Sequence, residues 1–160
     1  MTAHTTLLAF DYPQSVIAEY AHWVVLLRPK QPTLGALILA ARSDARVFSA
    51  LPAEAFTELA EITLAIESTL KKQFSYDKIN YLMLMMVDPH VHFHVIPRYA
   101  NPQNAYGAHW IDTTWGGSPA LAHDVPLPVD ARRALLADLQ NAWRKTMSNY
   151  QATHYRGDNA

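Results

Sequence analysis

The sequence predicts a single α+β domain. Its mainly antiparallel, five-stranded sheet has a long helix after the third strand and a second helix near the C-terminus. Three observations lead there. Residues 90–98, His-Val-His-Phe-His-Val-Ile-Pro-Arg, alternate histidine with β-branched or aromatic residues, the period-two pattern of a strand. Four further apolar runs read as strands. Residues 52–74 and 130–147 instead space their apolar side chains by three and four, the helical period.

Residues 16–20 and 23–27 read as two short strands with Ala21-His22 at the turn. Pro29 and Pro32 stop the second, because proline cannot donate to a ladder. The loop 28–35 leads into a third strand, 36–40, whose near-continuous apolar run fits burial on both faces. After a polar link, the helix 52–74 opens on a proline, which suits a first turn. Phe56, Leu59, Thr63, Ile66 and Leu70 form its expected core stripe. Glu54 and Glu58 lie early and Lys71 and Lys72 late, as the helix dipole favours.

Residues 77–87 read as a central strand covered on both faces, since both alternating sets are apolar. Its methionines, Met83, Met85 and Met86, are expected to pack in the core. Asp88-Pro89 then turns the chain into the histidine strand as a hairpin. Residues 99–128, rich in proline and glycine, read as an irregular segment held down by Trp110 and Trp115. The last helix is expected over 130–147, with Asp130 as N-cap and Leu136, Leu139, Trp143 and Met147 on one stripe. One domain, 1–147, is expected, with its core in 16–99 and a C-terminal loop and helix in 100–147. Residues 148–160 read as a flexible tail.

In a strand at residues 90–98, His90, His92 and His94 share one face. Imidazole titrates near neutrality, so such a row is a reaction surface or a metal site. Residues i and i+4 of a strand lie roughly 13 Å apart. One zinc ion, holding nitrogen at about 2 Å, reaches two neighbours but not all three. Catalysis is therefore the leading reading, and a metal site on two histidines the second. A solvated row of histidines is the plain alternative.

Composition narrows the remaining classes. With 50 % apolar and 17 % charged residues among 160, the chain is globular. A net charge of -1 offers no basic surface for nucleic acid or an anionic membrane. The absence of cysteine excludes disulfides and thiol catalysis. No signal peptide is read in residues 1–6, and no apolar run approaches the ~20 residues needed to span a bilayer. A cytoplasmic protein is expected.

The motif His-apolar-His-apolar-His-apolar-apolar, satisfied by residues 90–96, resembles the signature of the histidine triad (HIT) superfamily. The continuation Pro97-Arg98-Tyr99 looks like the branch containing diadenosine polyphosphate hydrolases, and the resemblance covers residues 16–99. It implies a HIT-like fold, a homodimer, and hydrolysis or transfer at the α-phosphate of a nucleotide. It also implies that His92 attacks phosphorus and carries a covalent nucleotidyl intermediate. His94 would then bond the phosphate or leaving-group oxygen, and His90 orient the nucleophile. The transferase branch usually has glutamine at the third triad position, so His94 favours hydrolysis. No protein-bound cofactor is implied, although a divalent cation can accompany the substrate phosphates.

This chain departs from the family at three places. Leu34-Gly35-Ala36 stands where relatives carry a Pro-Gly-His-like loop, and Arg28 where they carry a ribose-binding Asn or Asp. Met85-Met86-Val87-Asp88 replaces a Gly-Asn or Gly-Gln element. A nucleotide-binding protein with weak or lost catalysis is thus the alternative reading. Arg98, Arg28 and Asn80 remain as substrate-binding candidates. Arg98 can clamp phosphate or serve the structure. Arg28, with Lys30, can meet phosphate, a solvated loop charge being the plainer reading. His22, His109, Trp110, Asp112 and Trp115 are weaker candidates near the site, while His4, His123 and His154 look incidental.

Overall fold

The structure, a computed structural model, describes residues 2–154. β1 (Val16–Glu19), β2 (Trp23–Leu27), β3 (Leu37–Ala41), β4 (Lys78–Leu82) and β5 (His92–Arg98) form one sheet. Its order is β1-β2-β3-β5-β4, and every pairing is antiparallel. Three α-helices accompany it among the described residues: α1 (Thr5–Ala9), α2 (Ala53–Phe74) and α3 (Val129–His154). A small separate hairpin, β6 (Gln103–Ala105) and β7 (Ala108–Trp110), interrupts the irregular segment.

The sheet is apolar on both faces, and each face finds its own cover. Val25, Leu39 and Val95 look toward Ile62, Ile66 and Leu70 of α2 and Leu135, Leu139 and Trp143 of α3, forming the main core. The Trp23 indole N–H donates to the Ala55 carbonyl (2.8 Å), pinning the start of α2 to β2. Val24, Leu26, Ile38 and Ala40 face the other way, into a smaller cluster with Leu7 and Phe10. Ile38 pairs with His94 and Ala40 with His92 across β3 and β5, so both histidines belong to this second face. A five-residue helix such as α1 cannot persist alone. It is held by burying Leu7 and Phe10, a gain of about 2 kcal/mol each.

The loop between β2 and β3 is built around Gln31, which is 1 % exposed. Its side-chain amide donates to the carbonyls of Arg28 and Ala36 (both 2.8 Å), and its carbonyl accepts from the N–H groups of Gly35 and Ala36. Gly35 has φ +81°, and a Cβ there would lie 2.7 Å from the Phe74 ring. Glycine is required by backbone and by space.

Several expectations are corrected. β4 is an edge strand, not a central one, because β5 inserts between it and β3. Its apolar continuation leaves the sheet, with Met86 86 % and Val87 93 % exposed and Met83 and Met85 half-buried. The buried arc of α2 is Ala55, Ile62, Ala65, Ile66, Thr69, Leu70 and Phe74. Phe56 is exposed, and Leu59 and Thr63 are half-buried. Small Ala55 and Ala65 let the helix lie close to its neighbours, which a search for large apolar residues overlooks. Trp110 is buried but Trp115 is 41 % exposed. α3 continues seven residues beyond Met147, so 148–154 of the expected tail are helical. Residues 155–160 of that tail lie outside the described residues.

Candidate active site

His92 and His94 project from β5 side by side, their rings 5.0 Å apart at 75°. Phe10 of the N-terminal segment lies against both, at 5.3 Å and 5.8 Å. His90 stands two residues ahead of β5, so the strand is shorter than the nine residues expected. Its ring stacks on His4 at 4.0 Å, and its Nδ1 bonds the Thr6 hydroxyl at 2.9 Å. All three are buried, and His92 is 0 % exposed. The triad face is thus closed over by residues 4–10, the reverse of a solvated row.

Hydrogen-bond direction settles the tautomer of His92. Its Nδ1 lies 2.7 Å from the His90 carbonyl oxygen, which can only accept, so Nδ1 carries hydrogen. In the neutral ring the lone pair is then on Nε2, and Nε2 is buried with no hydrogen-bond partner. An orphaned buried acceptor is unfavourable unless something arrives to use it. The orienting group is the main chain of residue 90, not the His90 imidazole. Burial first, then His4 and Arg46, hold His90 below the ordinary imidazole range.

His94 has the opposite arrangement. Its Nδ1 accepts from the Arg28 Nε–H at 3.3 Å. Burial, then Arg28 and His92, push its pKa down from 6.5 to about 4, so the ring is neutral at pH 7. Arg28 is 7 % exposed, which corrects the solvated-loop reading; Lys30 alone is exposed. The remaining guanidinium contacts of Arg28 are the carbonyls of Lys30 (2.6 Å) and Leu121 (2.9 Å). Among the described residues no carboxylate forms an ion pair with it.

Arg98 and Asn80 are drawn into a different structure. Arg98 binds both carboxylate oxygens of Asp112 (2.6 and 3.0 Å), the Asn80 side-chain oxygen, and the carbonyls of Thr114 and Gly117. Those five bonds use every guanidinium N–H. With Asp112 opposite, side-chain exposures are 4 % and 3 %, a buried ion pair that folds residues 112–117 back on β5. The expected phosphate clamp at Arg98 therefore has no donor left to act with, and the Asn80 side-chain oxygen is spent on Arg98.

The N-terminal contributors are not legible in the sequence. His4 is not incidental but caps α1: its Nε2–H donates to the Ala41 carbonyl (2.9 Å), and its Nδ1 accepts from the Leu7 N–H. Thr6 and Phe10 carry no local pattern, and their partners lie more than eighty residues away. His22 is half-buried and lines a cleft with Arg42 and Asp44. His109 bonds Asn104 within the small hairpin. Among the described residues no three His, Cys, Asp or Glu side chains are grouped to hold a metal ion. None of the described helices is long and apolar enough to cross a membrane.

The family model of the HIT domain matches residues 10–101, more than half of the chain. A histidine triad protein from Marinobacter aquaeolei VT8 is 25 % identical, with 91 % of this chain and 97 % of that one covered at a TM-score of 0.65. A histidine triad (HIT) protein from Sinorhizobium meliloti is 21 % identical over 88 % and 96 %, also at 0.65. A hypothetical histidine triad nucleotide-binding protein from Sulfolobus tokodaii is 13 % identical over 88 % and 90 %, at 0.64. No curated protein matches the chain. The fold of these structures is the same α+β arrangement described above.

Proposed function

Because the chain belongs to the HIT family, we propose that it is a nucleotide phosphohydrolase. Its substrate would be a dinucleoside polyphosphate or related nucleotide conjugate, attacked at the α-phosphate by His92. The observation that carries this reading is the unpartnered, lone-pair-bearing Nε2 of His92. Nε2 forms a bond to phosphorus while the bond from phosphorus to the leaving oxygen breaks. The neutral His94, hydrogen on Nε2, donates a hydrogen bond to that leaving oxygen, which departs with its negative charge. The resulting nucleotidyl-imidazolium is supported by the His90 carbonyl at Nδ1. Water then attacks phosphorus and breaks the phosphorus–nitrogen bond, releasing a nucleoside monophosphate and neutral His92, while the water's spare proton passes to the departed leaving group or to solvent.

Since His92 is fully buried and Phe10 lies against it, these steps require the cover of residues 4–10 to move aside. That same closure favours the second reading, a nucleotide-binding protein with weak or lost catalysis. Rapid acid quench with a panel of nucleotide conjugates separates the two. A nucleotidyl adduct mapped to His92 is the expected result. AMP binding by calorimetry, with neither adduct nor turnover of any conjugate, would favour the second.

A homodimer belongs to the same proposal. β4 leaves an open sheet edge, and Leu84 (45 % exposed), Met86 and Val87 follow it, surface that isolated domains usually protect. Sedimentation as a dimer is expected at micromolar concentration, and a persistent monomer would overturn it. The lack of cysteine suits the proposed cytoplasmic setting.

A further inference from the structure

Two histidines of one strand sit beside each other with their tautomers set by different neighbours. His92 gives its Nδ1 hydrogen to the His90 carbonyl. His94 instead receives a hydrogen at Nδ1, from an arginine that can only donate. We infer that Arg28 is a positioning residue of the transfer site: its Nε–H fixes His94 as the tautomer with hydrogen on Nε2. The role assigned to that hydrogen rests on the reaction proposed above, whereas the lock itself rests on geometry alone.

The alternatives to this tautomer are both opposed by Arg28. A neutral His94 with hydrogen on Nδ1 would set two N–H donors against each other at 3.3 Å. A protonated His94 would do the same and place two positive charges together inside a buried site, where repulsion is weakly screened. Among the described residues no acidic side chain acts on His94 to offset this. Its charged or titratable neighbours are Arg28 at the end of β2 and His92 on β5. Phe10, packed on it from the N-terminal segment, is uncharged. Asp124 acts on Arg28 without ion-pairing to it, and its own carboxylate accepts the Gln31 N–H.

Arg28 cannot easily swing away. Its two terminal nitrogens are tied to the Lys30 and Leu121 carbonyls, and its own carbonyl is held by Gln31. The loop thus holds a buried guanidinium at a set place, which is how a supporting residue keeps a catalytic ring in one state. The outcome is a matched pair, with a lone pair at Nε2 of His92 and a hydrogen at Nε2 of His94. A nucleophile and a hydrogen-bond donor to the leaving oxygen need these two states together.

The experiment is nitrogen NMR of protein labelled at histidine, with steady-state kinetics on the same samples. In the wild type His94 is expected to hold hydrogen on Nε2 and none on Nδ1. Arg28→Met should give a mixture of tautomers and move the His94 titration upward, since a neighbouring cation has gone. kcat should fall about 10- to 100-fold with little change in KM. Arg28→Lys, which returns a charge and a donor, should recover part of the lock. Hydrogen on Nδ1 of wild-type His94 overturns the inference, and that measurement needs no variant. An unchanged tautomer and titration in a folded Arg28→Met also overturns it. A locked His94 in a protein inert toward every nucleotide conjugate would uphold the lock and remove the reaction assigned to it.

Discussion

His92→Asn is expected to abolish turnover, lowering kcat by at least about 10⁴-fold while leaving the protein folded. Asparagine is close to histidine in size, and its amide can still donate toward the His90 carbonyl that now holds Nδ1 at 2.7 Å. It has no nitrogen lone pair with which to attack phosphorus. Packing against Phe10 and the neighbouring His94 is largely retained. Two comparisons sharpen the result. His94→Asn should lower kcat less, by about 10²- to 10³-fold, because it removes a donor and not the nucleophile. His90→Ala keeps the main-chain carbonyl that orients His92, so it should cost least of the three. Acid quench of His92→Asn should yield no nucleotidyl adduct. Turnover close to the wild-type rate in folded His92→Asn would end the proposed mechanism.

Asp112→Ala is expected to destabilise the fold by about 3–5 kcal/mol. The change removes the carboxylate that binds the Arg98 guanidinium at 2.6 and 3.0 Å, with both side chains at least 96 % buried. An uncompensated guanidinium is left beneath the 112–117 segment. The Tyr99 and Thr114 N–H groups also lose their acceptor. For a chain of this length the melting temperature should fall by about 10 °C or more. Asp112→Asn, which keeps an acceptor but not the charge, should fall between the two. Urea and thermal unfolding supply the measurement, and a loss below about 1 kcal/mol would show that the pair is not what closes this segment.

Arg28 and Arg98 illustrate how far a residue's fate can be read from its surroundings in the chain. Both end a strand of the triad face, and both were candidates to meet phosphate. Arg98 folds against Asp112 and is spent on structure. Arg28 meets carbonyls and a histidine, and keeps its charge unneutralised by any ion pair among the described residues. The difference lies in which carboxylate arrives from fourteen residues away, and nothing local to either arginine encodes it. The same holds for the N-terminal cover. His4 stacks on His90, and Thr6 bonds it, across more than eighty residues.

What the sequence determined by itself is whatever depends on local periodicity. The alternation at 92–98 makes a strand with His92 and His94 on one face, and the three-and-four spacing makes α2 and α3. Both follow from backbone geometry, which is the same wherever the segment lies. Only the tertiary structure decided that β4 is an edge, that residues 4–10 close the triad face, and that opposite neighbours set the tautomers of His92 and His94. Those outcomes depend on contacts between distant segments. A hydrogen's place on an imidazole follows the group that folding brings against it.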